Sequence, residues 1–501
     1  MNLIRIFSFM EEFKYIVSIV KCMGLSGKIR CQTAKVSGKL AKRMVKLGKG
    51  MGKSFPGYLF LKIGSYDCLK ELAKTPRVGS IIITGTNGKT TTTKLISLLL
   101  ENDAPISYNY DSNTLNAITT GLLSDNIDFG VFEYGIRDVA HAFPDTVCNL
   151  VDPIGVVYTN VSREHSLVAG VSNPFDKYLM AKELLCKPMN TGIVVCNADD
   201  PRTASIGTKK EAEVKVNYYG FDLKSDNDNL LKPDIDCPLC GSKLTYSVMF
   251  SNHRGKYSCQ CGFKRPDPDM RLTELKKEFD AWFVTLEGTV YNYTTEQDIP
   301  VFLKLKTPAF GLYNLYNLLC AVTTYASFTN KPKNIENTVN KITKSLDLSI
   351  LPPGRFEIMK IGDKLVGMGQ GDNGDALNAN VEFMCEYVKD DLGFIYTTPD
   401  TGEDDIFEDH LQSVIAAKPK KVYVVPGRTS VDAAKDYYNR IVDENLNAEF
   451  YSLPYEEMAN RRSKIIDLIL NSPYKYIIVS GCGPEHYMWA ELKSELKTHM
   501  D

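Results

Sequence analysis

No apolar run in these 501 residues approaches the roughly 20 residues that a bilayer-spanning helix needs. A helical integral membrane protein is therefore not expected. An excess of one charge is also missing: 59 Lys and Arg face 61 Asp and Glu, for a formal net charge of −2. That balance gives no whole-molecule case for a nucleic-acid partner. Internal repeats and low-complexity segments are absent. Met1 to Leu25 is apolar, but Arg5, Glu11, Glu12, Lys14 and Lys21 interrupt it and no small-residue cleavage site follows, so a signal peptide is not expected. The thirteen cysteines mostly stand alone in apolar surroundings, as at Cys148, Cys186, Cys196 and Cys320. This is the usage of reduced, cytoplasmic proteins.

What the chain does have is the stretch Ile81-Ile82-Ile83-Thr84-Gly85-Thr86-Asn87-Gly88-Lys89-Thr90-Thr91-Thr92-Thr93, with Leu98-Leu99-Leu100 beyond it. β-Branched residues run into a glycine turn that opens a helix. Gly85 and Gly88 let the N–H groups of Thr86, Asn87 and their neighbours face a triphosphate. Lys89 can set its ammonium on the β- and γ-phosphates, and the Thr90 hydroxyl can reach Mg²⁺. Thr91 sits in the first turn, where the helix N-terminus adds partial positive charge. The strict phosphate-loop pattern asks for glycine where this chain has Ile83, so an ordinary βα turn stands as the alternative.

Length points to two or three domains. Residues 1–75 read as a short, basic, mainly helical region. Within 1–56, twelve Lys and Arg oppose only Glu11 and Glu12, a local excess of +10. The helical spacing from Lys39 to Lys53 suits a solvated face packed on the next domain, or peripheral contact with an anionic membrane. Residues 76–350 read as a central ATP-binding domain. Its short β-rich runs Phe129–Phe132, Ile154–Tyr158 and Gly192–Val195 alternate with helical stretches, as buried parallel strands do. Their C-terminal ends carry Glu133, Thr159, Asn160, Asn197, Asp199 and Asp200, at the edge where open α/β sheets bind ligands.

An insertion at 230–268 interrupts this domain. Cys237 and Cys240, then Cys259 and Cys261, each pair followed by glycine, suit tetrahedral Zn²⁺ in a ribbon. Incidental cysteines and a redox dithiol are the alternatives. The basic residues of the ribbon are too few to indicate nucleic acid. Strands at Ala281–Val284 and Val301–Leu305 and a helix from Gly311 resume the domain. Pro352-Pro353-Gly354-Arg355 marks a linker, and residues 351–501 read as a second, Rossmann-like α/β domain. The expected fold class is thus α/β: a central parallel-sheet P-loop ATPase domain with a four-cysteine zinc-ribbon insertion, plus a C-terminal Rossmann-like α/β domain.

The loop string from Thr84 to Thr90 resembles the ATP loop of the Mur ligase family. Those enzymes join amino acids to a cell-wall precursor through an acyl phosphate. The resemblance extends over about residues 80 to 375 and implies roles for further positions. Phe132-Glu133-Tyr134-Gly135 resembles the strand end whose glutamate binds Mg²⁺, and the segment from Thr159 to His165 resembles the one whose histidine helps hold a metal. Ala181-Lys182-Glu183 resembles the helix whose lysine is carbamylated into a metal-directed carboxylate. Asn314 and Asn317 match the asparagines of the adenine site. Arg355 matches the linker arginine at the phosphates, and Asp372 stands where a ribose-binding acid is expected.

The resemblance implies an ATP-dependent peptide ligase with Lys89, Glu133, His165 and Lys182 at its catalytic centre. ATP, Mg²⁺ and structural Zn²⁺ would be its cofactors. Its substrates would be an amino acid and a precursor of murein or pseudomurein, nucleotide- or lipid-linked. The ribbon and the short N-terminal lead resemble the MurT branch, which implies a glutaminase partner and amidation of the precursor glutamate. His165 and Lys182 instead resemble the MurE and MurF branches, as does the Gly481–His486 segment for MurE. A non-catalytic zinc-ribbon scaffold is the reading from another class.

Overall fold

The computed structural model describes residues 27–47, 53–109, 112–136, 143–162, 174–210, 213–224, 235–279, 281–352, 354–427, 430–454, 457–483 and 486–499. Three helices come first: α1 (Gly27–Leu47), α2 (Phe55–Ile63) and α3 (Tyr66–Ala73). α1 buries Ala34 and Ala41 against α2 and leaves Ile29, Val36, Leu40 and Met44 exposed on its far side. Cys31 of α1 and Cys68 of α3 form a disulfide, with Cα atoms 5.1 Å apart. This departs from the expectation of reduced cysteines. Helix packing joins residues 37 apart, a pairing that sequence spacing does not announce.

Then come β1 (Gly79–Thr84), α4 (Lys89–Glu101), β2 (Ile106–Asn109), α5 (Leu115–Leu122), β3 (Phe129–Glu133), α6 (Pro144–Val151), β4 (Gly155–Tyr158), α7 (Pro174–Cys186), β5 (Gly192–Asn197), α8 (Pro201–Thr208) and β6 (Val214–Phe221). A separate antiparallel hairpin follows, β7 (Thr245–Ser251) and β8 (Arg254–Ser258). After it the chain returns as β9 (Met270–Lys277), β10 (Ala281–Asn292) and β11 (Gln297–Pro308), then α9 (Leu312–Phe328) and α10 (Ile335–Ser345). Nine strands make one sheet in the order β11-β10-β9-β6-β5-β4-β1-β3-β2. It is parallel from β2 to β9, and β10 and β11 close it antiparallel. β1 and β5 are buried on both faces, which explains why Ile81-Ile82-Ile83 and Val194-Val195 show no polar alternation.

The second sheet is built from β12 (Glu357–Ile361), β13 (Lys364–Gln370), α11 (Gly374–Cys385), β14 (Leu392–Thr397), α12 (Asp404–Ala417), β15 (Lys421–Val425), α13 (Val431–Asp443), β16 (Ala448–Phe450), α14 (Met458–Leu470), β17 (Tyr476–Gly481) and α15 (His486–Lys497). Its order is β12-β13-β17-β14-β15-β16, parallel except for β12. One apolar cluster runs through both sheets. At the seam, Phe383 of α11 meets Trp282 of β10 edge-on at 5.7 Å and Phe356 at 6.3 Å between ring centroids. No helix among the described residues is long and apolar enough to cross a membrane.

Candidate functional site

The turn between β1 and α4 is shaped by its glycines and by the end of β4. Gly88 has φ +82°, and a Cβ there would lie 2.2 Å from Asn317 Oδ1. A Cβ on Gly85 would lie 1.9 Å from Thr159 Oγ1. The loop can follow this path only with glycine at both positions. Thr159 Oγ1 and Asn160 Nδ2 both donate to the Asn87 carbonyl, at 2.6 and 2.9 Å, and Thr86 N donates to the Asn160 carbonyl at 2.9 Å. The Thr86 hydroxyl lies 2.9 Å from Tyr178 Oη of α7. Lys89 Nζ donates to the carbonyls of Gly85 (2.8 Å) and Thr86 (2.7 Å), so its charge rests on its own loop.

Around this loop stand the residues expected to hold a metal. Thr90 Oγ1 donates to Glu133 Oε2 at 2.8 Å, and Glu133 itself is buried at the end of β3. Two hard oxygen groups at the mouth of this glycine loop are of the kind that suits Mg²⁺. Lys182 of α7 is fully buried, and its Nζ donates to the Gly85 carbonyl at 3.0 Å and to Thr84 Oγ1 at 3.3 Å. It also lies 4.7 Å from the centre of the Tyr178 ring. The amine thus approaches the loop from behind, on the α7 side. His165 lies outside the described residues. Asp199 accepts hydrogen bonds from Arg265, Phe221 N and Tyr316 Oη and is enclosed by them, so it serves the packing of the sheet edge.

Two adjoining clefts lead away from the loop toward the second sheet. The first is lined by Thr86 to Thr90, Glu133, Arg355 and Asp372; the second by Phe310, Asn314, Phe356 and Phe383. Asn87, Arg355, Gln370 and Ala376 border both. Asn317 Nδ2 donates to Asn314 Oδ1 at 3.0 Å, and Asn317 Oδ1 accepts from Thr92 at 3.3 Å, so that pair is locked to α4. Asp372 accepts from Gln370 and, at 3.4 Å, from Gly483 N. The loop, Asn314, Arg355 and Asp372 therefore converge on one continuous groove between the two sheets, with Asn317 buried beside Asn314 and Gly88.

Several groove residues were not anticipated from the sequence. Asn373 caps α11 by accepting from Ala376 N at 3.0 Å and also meets Asn87 across the groove. Its position before Gly374-Asp375-Ala376 is a helix-start signal. Ser251 and Glu382 line the second cleft as well. Nothing in the sequence pattern links them to it.

At the root of the β7–β8 hairpin, Cys237, Cys240, Cys259 and Cys261 bring four sulfur atoms within 4.8 Å of one another. Backbone and side-chain hydrogen bonds from Ser242 lower the Cys240 thiol to about 6. Four sulfur donors converging in this way fit a tetrahedral soft-metal site of the Zn²⁺ type.

Residues 83–263 match the model of the Mur ligase middle domain. The chain is 29% identical over 323 residues to the lipid II isoglutaminyl synthase (glutamine-hydrolyzing) subunit MurT of Streptococcus pneumoniae, covering 63% of this chain and 65% of that relative. It is 22% identical over 433 residues to the UDP-N-acetylmuramoyl-L-alanyl-D-glutamate–2,6-diaminopimelate ligase of Chlamydia pneumoniae, covering 82% and 74%. Among solved structures, the pseudomurein peptide ligase type C of Methanothermus fervidus superposes with a TM-score of 0.61 at 21% identity, over 86% of this chain and 80% of that one.

Proposed function

We propose that this chain, a member of the Mur ligase family, is an ATP-dependent amide ligase that adds an amino acid to a cell-wall peptide precursor of murein or pseudomurein. The observation that carries this reading is the groove itself: a glycine loop, the Thr90–Glu133 pair and Arg355 meet where two α/β sheets face each other. A carboxylate is a poor electrophile until it is phosphorylated. Its oxygen attacks the γ-phosphorus of ATP, ADP leaves, and an acyl phosphate forms. The incoming amine then attacks the acyl carbon, loses a proton and expels phosphate.

The residues divide this work. Lys89 exchanges the Gly85 and Thr86 carbonyls for the β- and γ-phosphates, where its charge offsets that of the transferring group. Gly85 to Thr91 supply backbone N–H groups and the start of α4. Thr90 and Glu133 would hold Mg²⁺, which supplies further charge neutralisation. His165 and a carbamylated Lys182 belong to a second metal position in the same proposal. Asn314 and Asn317 serve the adenine, Asp372 the ribose and Arg355 the phosphates. Cys237, Cys240, Cys259 and Cys261 would hold structural Zn²⁺. Phosphate release that requires both an amino acid and a wall precursor tests the proposal, and release with ATP alone would count against it.

The 29% identity to a MurT subunit favours a second reading, a synthetase subunit that works with a glutaminase and amidates the precursor glutamate. Ammonia replacing the amino acid in the same assay, together with a copurifying glutaminase, would select it. Either reaction belongs on the cytoplasmic side of the membrane. Exposed Ile29, Val36, Leu40 and Met44, flanked by Lys28 and Arg43, support peripheral contact of α1 with an anionic bilayer that carries a lipid-linked precursor. Sedimentation with anionic but not neutral vesicles tests that contact.

A further inference from the structure

The cysteine cluster occupies one end of the β7–β8 hairpin. The other end, Ser251-Asn252-His253-Arg254, is wedged between the central sheet and helix α11. Toward the central sheet the hairpin is fastened firmly: Gly255 N donates to the Asp199 carbonyl and Tyr257 Oη to the Ala198 carbonyl, both at 3.0 Å. Arg254 is buried with its guanidinium 5.3 Å from the centre of the Tyr316 ring of α9.

Toward the second domain every residue of the turn before Arg254 makes a polar contact with α11. Ser251 Oγ donates to Glu382 Oε2 at 2.9 Å, and Asn252 Nδ2 donates to the Asp375 carbonyl at 3.1 Å. Asn378 donates in return to Asn252 Oδ1. His253 is only 4% exposed; its Nδ1 lies 3.4 Å from Asp375 Oδ2 of α11 and its Nε2 3.4 Å from Asp200 Oδ2 of the central domain. α11 is the helix that roofs the groove, through Ala376, Asn380 and Phe383, and its capping residue Asn373 touches the phosphate loop.

We propose that His253 is a positioning residue for the nucleotide: by bridging Asp200 and Asp375 it holds α11 closed over the groove, and the cysteine-bearing hairpin thereby sets the affinity for ATP. This rests on the reading of the groove as an ATP site. The electrostatics agree. Burial opposes charge on His253, but Asp200 and Asp375 outweigh it and raise its pKa, while His253 holds Asp375 well below the usual carboxylate range despite burial. Without the imidazolium, the buried Asp200 and half-buried Asp375 carboxylates would face each other across the seam, an arrangement that favours separation of the domains.

The full-length protein tests this with His253→Ala, His253→Gln, Asp375→Ala and the His253→Ala/Asp375→Ala double variant. Three quantities are read: the Kd of a fluorescent ATP analogue with Mg²⁺, the split between KM for ATP and kcat, and the nucleotide-free radius of gyration from X-ray scattering. His253→Ala should raise Kd and KM for ATP about tenfold, leave kcat at saturating ATP within about threefold, and enlarge the radius of gyration. His253→Gln, which keeps one donor, should recover part of the affinity. The double variant should be no weaker than the worse single one. Unchanged Kd in His253→Ala, or fully additive single effects, overturns the proposal. Should wild type bind no ATP, the nucleotide reading fails, and the scattering comparison still decides the bridge, with an unchanged radius of gyration overturning it. Where His253→Ala does not fold, Asp375→Asn probes the same bridge from the other side.

Discussion

Asn87 and Asn373, 286 residues apart, exchange side-chain amide hydrogen bonds across the groove: Asn87 Nδ2 donates to Asn373 Oδ1 at 3.2 Å, and Asn373 Nδ2 donates to Asn87 Oδ1 at 3.1 Å. One partner lies in the loop between β1 and α4 and the other at the start of α11. Each domain therefore reads the position of the other at the point where the triphosphate would sit.

Asn373→Ala removes both of these bonds and the cap of α11. From typical values of about 1 kcal/mol for each such loss, stability should fall by ~1–3 kcal/mol. KM for ATP should rise more than kcat falls. Urea denaturation and steady-state kinetics check both expectations, and a variant with wild-type KM would show that the pair has no part in closure.

Lys89→Ala should abolish ATP turnover, by at least about a thousandfold, because it removes the charge destined for the β- and γ-phosphates. Its ammonium contacts only loop carbonyls among the bonds described for it, so the melting temperature should move little. Turnover near wild type would refute the assignment of this loop.

Metal analysis of freshly purified protein should find about one Zn²⁺ per chain, lost in a Cys240→Ser/Cys259→Ser variant. Strong chelation should loosen the hairpin first and, through its turn against α11, weaken ATP binding. Protein free of zinc as purified would remove the metal assignment.

Lys182→Ala separates the two ligase readings. A ligase that depends on the carbamate should lose most activity and regain part of it with a short-chain carboxylic acid such as acetate, but none with bicarbonate. A synthetase subunit that does not use the carbamate should keep most of its rate. The fully buried amine against the Gly85 carbonyl makes a stability control necessary, so melting curves accompany the rates.

Lys493 of α15 donates to the Arg355 carbonyl and lies 3.5 Å from Glu357. Burial pushes its amine down from 10.5 to about 8. Below pH 8 the folded and unfolded chains both hold the proton. Between about pH 8 and 10.5 the folded chain has released it and the unfolded chain has not, so this group makes the fold more stable as pH rises. Lys493→Met should remove that contribution: its stability relative to wild type should be highest near pH 7 and decline toward pH 10. Glu357 keeps a partner in Lys497, at 3.1 Å. Denaturation at both pH values provides the measurement, and parallel pH profiles for the two proteins would contradict the assignment.

Much of the fold was legible because its strands are buried on both faces and announce themselves as short β-branched runs, as at Ile81–Ile83 and Val194–Val195. The shape of the β1–α4 loop was legible for a different reason: glycines at 85 and 88 are required where any Cβ would strike Thr159 or Asn317. The four cysteines declared themselves by spacing. His253 and Ser251 gave no such signal, because their importance comes from docking a hairpin turn against a helix more than a hundred residues later. Cys31 and Cys68 were illegible in the same way, since two helices must pack before their thiols meet. Burial of Lys182 behind the loop was equally hidden, because a lysine on a helix normally reads as solvated.

Strands β6 and β9 are adjacent and parallel, with Tyr219 opposite Met270 and Phe221 opposite Leu272. A chain leaving one parallel strand must travel back along the sheet before it can enter the next, which takes about a dozen residues or more. The described residues between these strands, 222–224 and 235–269, cysteines included, belong to that return journey. The module is thus not an ornament hung on a loop, removable by cutting its neck. Joining Phe221 directly to Met270 would deny β9 its direction and displace β10, β11 and everything anchored to them. Excision succeeds only as an exchange, with another crossover spliced into the same gap.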